Sequence, residues 1–246
     1  VVGECNDSGL NMIRERIIGL NEVRSAVRDA KRDFEEGAVG AGTGTVCFGL
    51  KGGIGSASRQ FTAGGSTYTV GALVQSNFGS TKNLVICGEP VGRAVEKKIK
   101  PADLDRGSIM TVIATDLPLS DRQLKRVIRR AGVGLSRTGS FMGHGSGDIM
   151  IGFTTANRIP ESTDQEVLTI RVLKESSLDT AFTAAAEAVE EAVLNSLAMA
   201  ETTVGYQGEI RYSLTDLWLA DRGTREQPAA VFSMEEIGRA SCRERV

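Results

Sequence analysis

Between residues 10 and 34 apolar side chains recur every three or four positions: Ile13, Ile17 and Ile18, then Val23, Val27 and Ala30. That is the period of an amphipathic helix. Gly19-Leu20-Asn21 interrupts it, so two helical pieces are expected, with Asn21 as the N-cap of the second. Residues 45–50 and 67–76 read as strands, the second with Tyr68, Val70, Ala72 and Val74 at alternate positions. Residues 84–87 and 109–114 are apolar enough for strands buried on both faces. Ser120 followed by Gln123 forms a capping box that opens a helix, with Leu124, Val127, Ile128 and Ala131 as its inner stripe. Strands are expected again at 148–154 and 167–172. Ser177 is expected to cap the longest helix, where Leu178, Phe182, Ala185, Val189, Val193 and Leu197 define one face. Strands and helices mix without regular βαβ alternation. The pattern therefore predicts an α+β fold, with helices layered on sheets and antiparallel pairing, over a doubly wound sheet.

Composition narrows the function classes. The chain has 246 residues, 41% hydrophobic and 24% charged, with a formal charge of −2. Such a balance creates no field that recruits nucleic acid or an anionic membrane surface. No apolar run approaches the ~20 residues of a spanning helix. Cys5, Cys47, Cys87 and Cys242 lie far apart without a C-x-x-C pair, so neither a zinc knuckle nor a disulfide framework is expected. A single histidine, His144, excludes most zinc hydrolases, and no metal ligand set or cofactor motif is apparent. With no signal-peptide pattern, the cytoplasm is the default location. Residues 237–246 have no amphipathic period and resemble a translated cloning adapter, so they are expected to be a non-native tail.

The 29 glycines are the compositional anomaly, clustered at 37–44, 52–55, 64–65 and 139–147. A Walker A loop fails on register, because Gly49 is followed by Leu50 before Lys51. The basic run Arg122, Lys125, Arg126, Arg129, Arg130 and Arg137 interlocks with the apolar stripe of its helix, which marks a solvated outer face. In Gly143-His144-Gly145-Ser146-Gly147-Asp148 a histidine stands near a serine, but no G-x-S-x-G elbow accompanies it. Gly107-Ser108 opens a buried-type strand, and a turn is the plain reading. The chemical alternative is cleavage of that bond, leaving Ser108 as a new N-terminus. An α-amino group titrates near ~7.7–8, against ~10.4 for lysine, so it can serve as base for the hydroxyl of its own residue.

Several segments together resemble the L-aminopeptidase/D-amidase/D-esterase and β-peptidyl aminopeptidase family, self-processing hydrolases with an N-terminal serine nucleophile. They are Val1-Val2-Gly3-Glu4, Gly40-Ala41-Gly42-Thr43-Gly44, Lys51-Gly52-Gly53-Ile54-Gly55-Ser56-Ala57-Ser58-Arg59, Val74-Gln75-Ser76-Asn77-Phe78-Gly79, Gly107-Ser108 with the strand after it, and Arg137-Thr138-Gly139-Ser140 through Asp148. The similarity runs in order over roughly residues 1–205. It implies an αββα sandwich, two mixed or antiparallel sheets between helix layers. It implies Ser108 as nucleophile, freed by self-cleavage of the Gly107-Ser108 bond. Ser146 is then the residue that helps move its proton, and Asp148 the residue that holds Ser146. The Asn77 side-chain amide and the Gly147 N–H would form the oxyanion hole, and Glu4 would bind the substrate's ammonium. The expected substrate is a short peptide, amide or ester with a free amine, and the expected assembly is a homo-oligomer of processed heterodimers.

On this reading residues 1–236 form one catalytic domain, with 1–107 in the first fragment and 108–236 in the second. The chain reads as a piece lacking the family's N-terminal segment. One departure stands at Asn6, where some members carry a tyrosine. Two other readings compete: a Ser-His hydrolase using His144, and a non-catalytic assembly protein that keeps the fold. The related ornithine acetyltransferases use a threonine nucleophile, and Ser108 weighs against acetyl transfer.

Overall fold

A computed structural model describes residues 3–99, 107–162 and 164–219; the tail at 237–246 and the charged stretch at 103–106 lie outside the described residues. Helix α1 (Leu20–Arg28) comes first, followed by the small strands β1 (Val46–Cys47) and β2 (Leu50–Lys51). The long strands β3 (Ile54–Ala63) and β4 (Ser66–Asn77) are next, then a single turn of helix, α2 (Gly92–Val95). Strand β5 (Ser108–Thr115), helices α3 (Asp121–Ile128) and α4 (Ala131–Arg137), strand β6 (Gly147–Thr154) and the long α5 (Asp179–Ala198) follow. A last pair, β7 (Thr203–Val204) and β8 (Ile210–Arg211), is antiparallel.

The main sheet has the order β3-β4-β5-β6, antiparallel up to β5 and parallel between β5 and β6. The fold is mixed α+β, as the pattern predicts. The β3–β4 hairpin closes on Gly64 and Gly65, both at positive φ, the conformation a tight primed turn needs. One face of the sheet, carrying Val70, Ala72, Val74, Ile109 and Ile113, is buried beside α5. The expected stripe of α5 is buried in full, and Ala181, Ala184, Ala188 and Ala192 are buried too, on the side that meets β3, while α4 packs on the side of Ala186. Small residues permit that double contact. A Cβ on Gly55 would lie 2.0 Å from the Ala192 carbonyl oxygen, and one on Gly134 would lie 2.4 Å from that of Ala186. Arg59 of β3 ties the layers electrostatically by pairing with Glu187 and Glu191 of α5.

The opposite face is open. Leu73 of β4 and Ile149, Ile151 and Phe153 of β6 are exposed, an apolar patch of the kind another layer covers. In an αββα sandwich the second sheet lies on such a face. Strand β5 therefore alternates, with Ile109, Thr111, Ile113 and Thr115 buried and the residues between them half-exposed, where burial on both faces was expected.

Other expectations need correction. Gly19, not Asn21, caps α1, and its N–H donates to the Glu22 side chain at 2.8 Å. Only a 3₁₀ turn, Ile13–Glu15, forms before it, and Ile13, Ile17, Ile18, Val23 and Val27 are exposed. Here the helical period survives without a core to face. The strand expected at 45–50 is bent into β1 and β2 by Phe48 and Gly49, both at positive φ, while Phe48 buries its ring edge-on against Phe78 at 5.1 Å. Residues 84–87 are buried in part but form no strand; Ile86 makes one bridge to Glu89 and Cys87 turns the chain. Residues 167–172 are not a strand either. Asn157 holds the Arg171 backbone with its side chain, accepting at 3.0 Å and donating at 2.8 Å, where a strand partner would otherwise be needed. Strand β3 was not among the expected strands.

The Ser120 capping box forms as expected, Gln123 N–H to Ser120 Oγ at 3.3 Å and Ser120 N–H to Gln123 Oε1 at 3.1 Å. Ser177 does not cap α5; it ends a 3₁₀ turn, Glu175–Ser177, and Leu178 is the boundary residue. The basic face of α3 is neutralised by Glu175, which pairs with Arg122 and Arg126, while Arg130 stacks 4.0 Å over the Phe182 ring. Hydrogen bonding from Gln123 and the two guanidinium charges hold the Glu175 carboxyl below its ordinary value. No helix among the described residues is long and apolar enough to cross a membrane.

The tight fit of β3 against α5 generates a stability prediction. Gly55→Ala forces a methyl group into a backbone carbonyl and should destabilise the fold by about 1–3 kcal/mol, as overpacking does. Urea unfolding should show a lower midpoint at unchanged slope, and an unchanged midpoint would contradict the contact.

Candidate active site

Three neighbouring strand ends meet in register. Asn77, the last residue of β4, pairs with Ser108, the first of β5, and Ser108 pairs with Gly147, the first of β6. Strands lie about 4.8 Å apart, so the three residues form one short row across the sheet end. The chain just before the row is tightly placed. Gly147 N–H donates to the Gly107 carbonyl at 2.9 Å. A Cβ on Gly107 would fall 1.8 Å from the Asn77 carbonyl oxygen, so no other residue fits without backbone movement. A Cβ on Gly147 would lie 3.5 Å from that of Ser108.

Ser146 and Asp148 flank Gly147. Ser146 Oγ donates to Asp148 Oδ1 at 2.7 Å, and the Ser146 N–H closes a turn onto the Gly143 carbonyl at 2.9 Å. His144 sits in that turn, exposed, with no hydrogen bond to any described residue.

The N-terminal segment crosses the row. Gly3 packs on the Met110 side chain, and Cys5 Sγ lies 3.6 Å from the Gln75 carbonyl and 3.8 Å from that of Ser108. Burial pushes the Cys5 thiol above its ordinary value, which keeps it protonated and a poor nucleophile at neutral pH. Asn77 Nδ2 donates to the Asn6 carbonyl at 3.0 Å, and Asn77 Oδ1 accepts from Val46 N–H at 2.9 Å. An amide nitrogen carries two hydrogens, and among the described residues only one of these is engaged. Glu4 lies in the same segment, exposed, and pairs with no Arg or Lys among the described residues. Asn77, Gly107, Ser108 and Gly147 thus meet at the sheet end, with Ser146 and Asp148 adjoining Gly147 in the chain and Glu4 in the segment next to Cys5.

A cleft of about 360 Å³ opens beside Gly107, lined by Asn6, Asp7, Val46, Asn77, Phe78 and Arg211 among others. Arg211 and Asp7 escaped the sequence reading, as did Lys51, which lies completely buried behind the cleft wall. Arg211 and Asp7, both half-buried, carry no local signal, since isolated charges look alike in sequence. Lys51 has one, a lysine set among Phe48, Leu50 and paired glycines with nothing to keep it solvated. Among the described residues no group of three or more His, Cys, Asp or Glu is placed to hold a metal ion.

Known proteins share this arrangement of strands. The β-peptidyl aminopeptidase BapA of Sphingosinicella microcystinivorans is 38% identical, over 85% of this chain and 56% of its own. The PH0078 protein of Pyrococcus horikoshii OT3 superposes with a TM-score of 0.82 at 49% identity, covering 89% of this chain and 60% of that one. The L-aminopeptidase D-Ala-esterase/amidase of Ochrobactrum anthropi, described as a new variant among the Ntn hydrolase fold, gives a TM-score of 0.78 at 38% identity, covering 85% and 58%. The chain therefore spans little more than half the length of these relatives. Residues 1–211 match the sequence profile of peptidase family S58, a span that includes the whole Asn77–Ser108–Gly147 row. With that match and these neighbours, the chain belongs to peptidase family S58 and has the Ntn hydrolase fold.

Proposed function

We propose that the complete protein is a self-cleaving serine aminopeptidase or amidase, acting on short peptides, amides or esters with a free amine. One observation carries the reading: the Gly147 N–H donates at 2.9 Å to the carbonyl of Gly107, the residue directly before Ser108. That donor is preorganised on the oxygen where charge develops if Ser108 Oγ attacks the Gly107 carbonyl carbon. The second hydrogen of Asn77 Nδ2 supplies the other donor. Collapse of the tetrahedral adduct breaks the 107–108 C–N bond, giving an ester on Ser108 Oγ and a free α-amine. Water then hydrolyses the ester, leaving a Gly107 carboxylate and an N-terminal Ser108.

In turnover the new amine accepts the Ser108 hydroxyl proton as Oγ attacks the substrate acyl carbon. That proton passes to the departing amine as its C–N bond breaks, and water then hydrolyses the acyl ester and restores the Ser108 hydroxyl. Ser146, held by Asp148, is the hydroxyl set to relay the proton. Glu4 answers the substrate's ammonium. Processing would leave residues 1–107 and the remainder joined as one unit, and further assembly of such units is part of the proposal. The competing Ser-His reading is less favoured, because His144 is exposed and no carboxylate among the described residues bonds to it.

Three outcomes test this reading. Denaturing electrophoresis of the full-length protein should show two bands, one beginning Ser-Ile-Met, and Ser108→Ala should leave a single band. An active preparation that remains uncut would overturn it. Gly107→Ala, by pushing the scissile carbonyl off the Gly147 donor, should slow processing at least about tenfold, while His144→Ala leaves processing and turnover within about twofold. Glu4→Gln should lower kcat/KM for free-amine substrates by about ten- to a hundredfold, mostly through KM, the ~1.5–3 kcal/mol of a charge-assisted contact. Equal hydrolysis of free and N-acetylated peptides would show that Glu4 does not select the amine.

A further inference from the structure

Lys51 is fully buried, and its ammonium faces no carboxylate of a described residue at hydrogen-bond distance. Nζ donates instead to three backbone carbonyls, Gly42 at 2.8 Å, Thr45 at 2.9 Å and Gly52 at 2.7 Å. All its donors are satisfied, yet a buried charge without a carboxylate in contact is costly, and an apolar residue of similar size is usually the more stable choice. The position calls for something only an ammonium supplies.

The peptide between Thr45 and Val46 shows what that is. Its oxygen accepts from Lys51 Nζ and also from Gly52 N–H at 3.1 Å, so both lone pairs are engaged. Its N–H donates to Asn77 Oδ1 at 2.9 Å. Val46 N–H can only donate and the Asn6 carbonyl can only accept, so these two groups fix the orientation of the Asn77 amide. A carbonyl held by an ammonium polarises its peptide and makes the N–H on the other side a stronger donor. Rotating that peptide would break the Lys51, Gly52 and Asn77 contacts together.

We propose that Lys51 is a positioning residue for the oxyanion donor Asn77, acting through the Thr45–Val46 peptide. The proposal rests on the hydrolase reading above for its catalytic consequence, whereas its structural part stands without it. Burial lowers the Lys51 ammonium to about 8, against the opposing pull of Cys47 and the Asp7 carboxylate, the titratable groups that act on it. Raising the pH through that value removes one of the three donated hydrogen bonds.

The first test needs no activity. In full-length Ser108→Ala protein labelled with ¹³C-asparagine, residue 108 has no free amine to titrate nearby. The Asn77 ¹³Cγ resonance, assigned by its loss in Asn77→Asp, should move between pH 6.5 and 9.5 with a midpoint near 8. The same titration in Ser108→Ala/Lys51→Met should be flat. An Asn77 signal that does not titrate overturns the proposal even if Lys51→Met proves unable to fold.

The second test reads turnover in the processed enzyme. Lys51→Met should lower kcat about 10- to 100-fold with KM within about twofold, the scale of a displaced catalytic group. In an Asn77→Ala background the same substitution should cost nothing further. Equal losses in both backgrounds would show that Lys51 only supports the loop and would overturn the proposal. Absence of any hydrolysis in the wild type would instead overturn the functional reading, leaving the titration to decide the role of Lys51.

Discussion

Everything at the candidate site depends on the register of three strands. Because Asn77, Ser108 and Gly147 are paired partners across β4, β5 and β6, they share one row at one end of the sheet. A slip of one residue in either pairing would turn an entire strand over and carry its side chains to the opposite face. Register is secured by burial on the α5 side, where Val70, Ala72, Val74, Ile109 and Ile113 must all point inward at once. The same inward set leaves Ser108 on the opposite face with Met110 and Val112. The helix layer thus positions Ser108 from the far side of the sheet.

Close backbone approach is the second constraint. Gly107 packs against the Asn77 carbonyl, and Gly147 beside Ser108 lets its own N–H reach the Gly107 oxygen. A side chain at 107 would push that carbonyl away from its donor. The site is therefore made largely of backbone, with few side chains, which accounts for a chain whose glycines gather where its chemistry lies. Buried Lys51 serves the same design by engaging backbone carbonyls of the glycine-rich loop.

The open side of the sheet belongs to the same picture. Leu73, Ile149, Ile151 and Phe153 form a flat apolar surface on the face that carries Ser108. This chain spans little more than half the length of its relatives. The strap at residues 3–11 contributes a partial roof near the end of β5, through Gly3 on Met110 and Cys5 beside Ser108.

Much was legible in the sequence where local physics is strong. The stripe of α5, the Ser120 capping box and the alternation in β4 are each set by neighbours a few residues away, and each formed as expected. Ser108, Asn77, Ser146 and Asp148 were legible only because their surrounding motifs resemble a family, since no spacing rule links positions so far apart. The failures share one cause. Residues 84–87 and 167–172 have strand-like composition, but a strand needs a partner edge, and a bridge at Ile86 and the Asn157 side chain took those places. The apolar period around α1 was real, yet no core lies beneath it among the described residues. Strand β3 was hidden because its small residues answer to the α5 backbone more than a hundred positions away. The sequence by itself determined which segments prefer helix or strand and which residues could carry chemistry, because those preferences act over a few residues. Only the tertiary structure decided register, burial of Lys51 and the meeting of Gly107 with the Gly147 N–H, because each is a contact between segments that the chain must first fold to bring together.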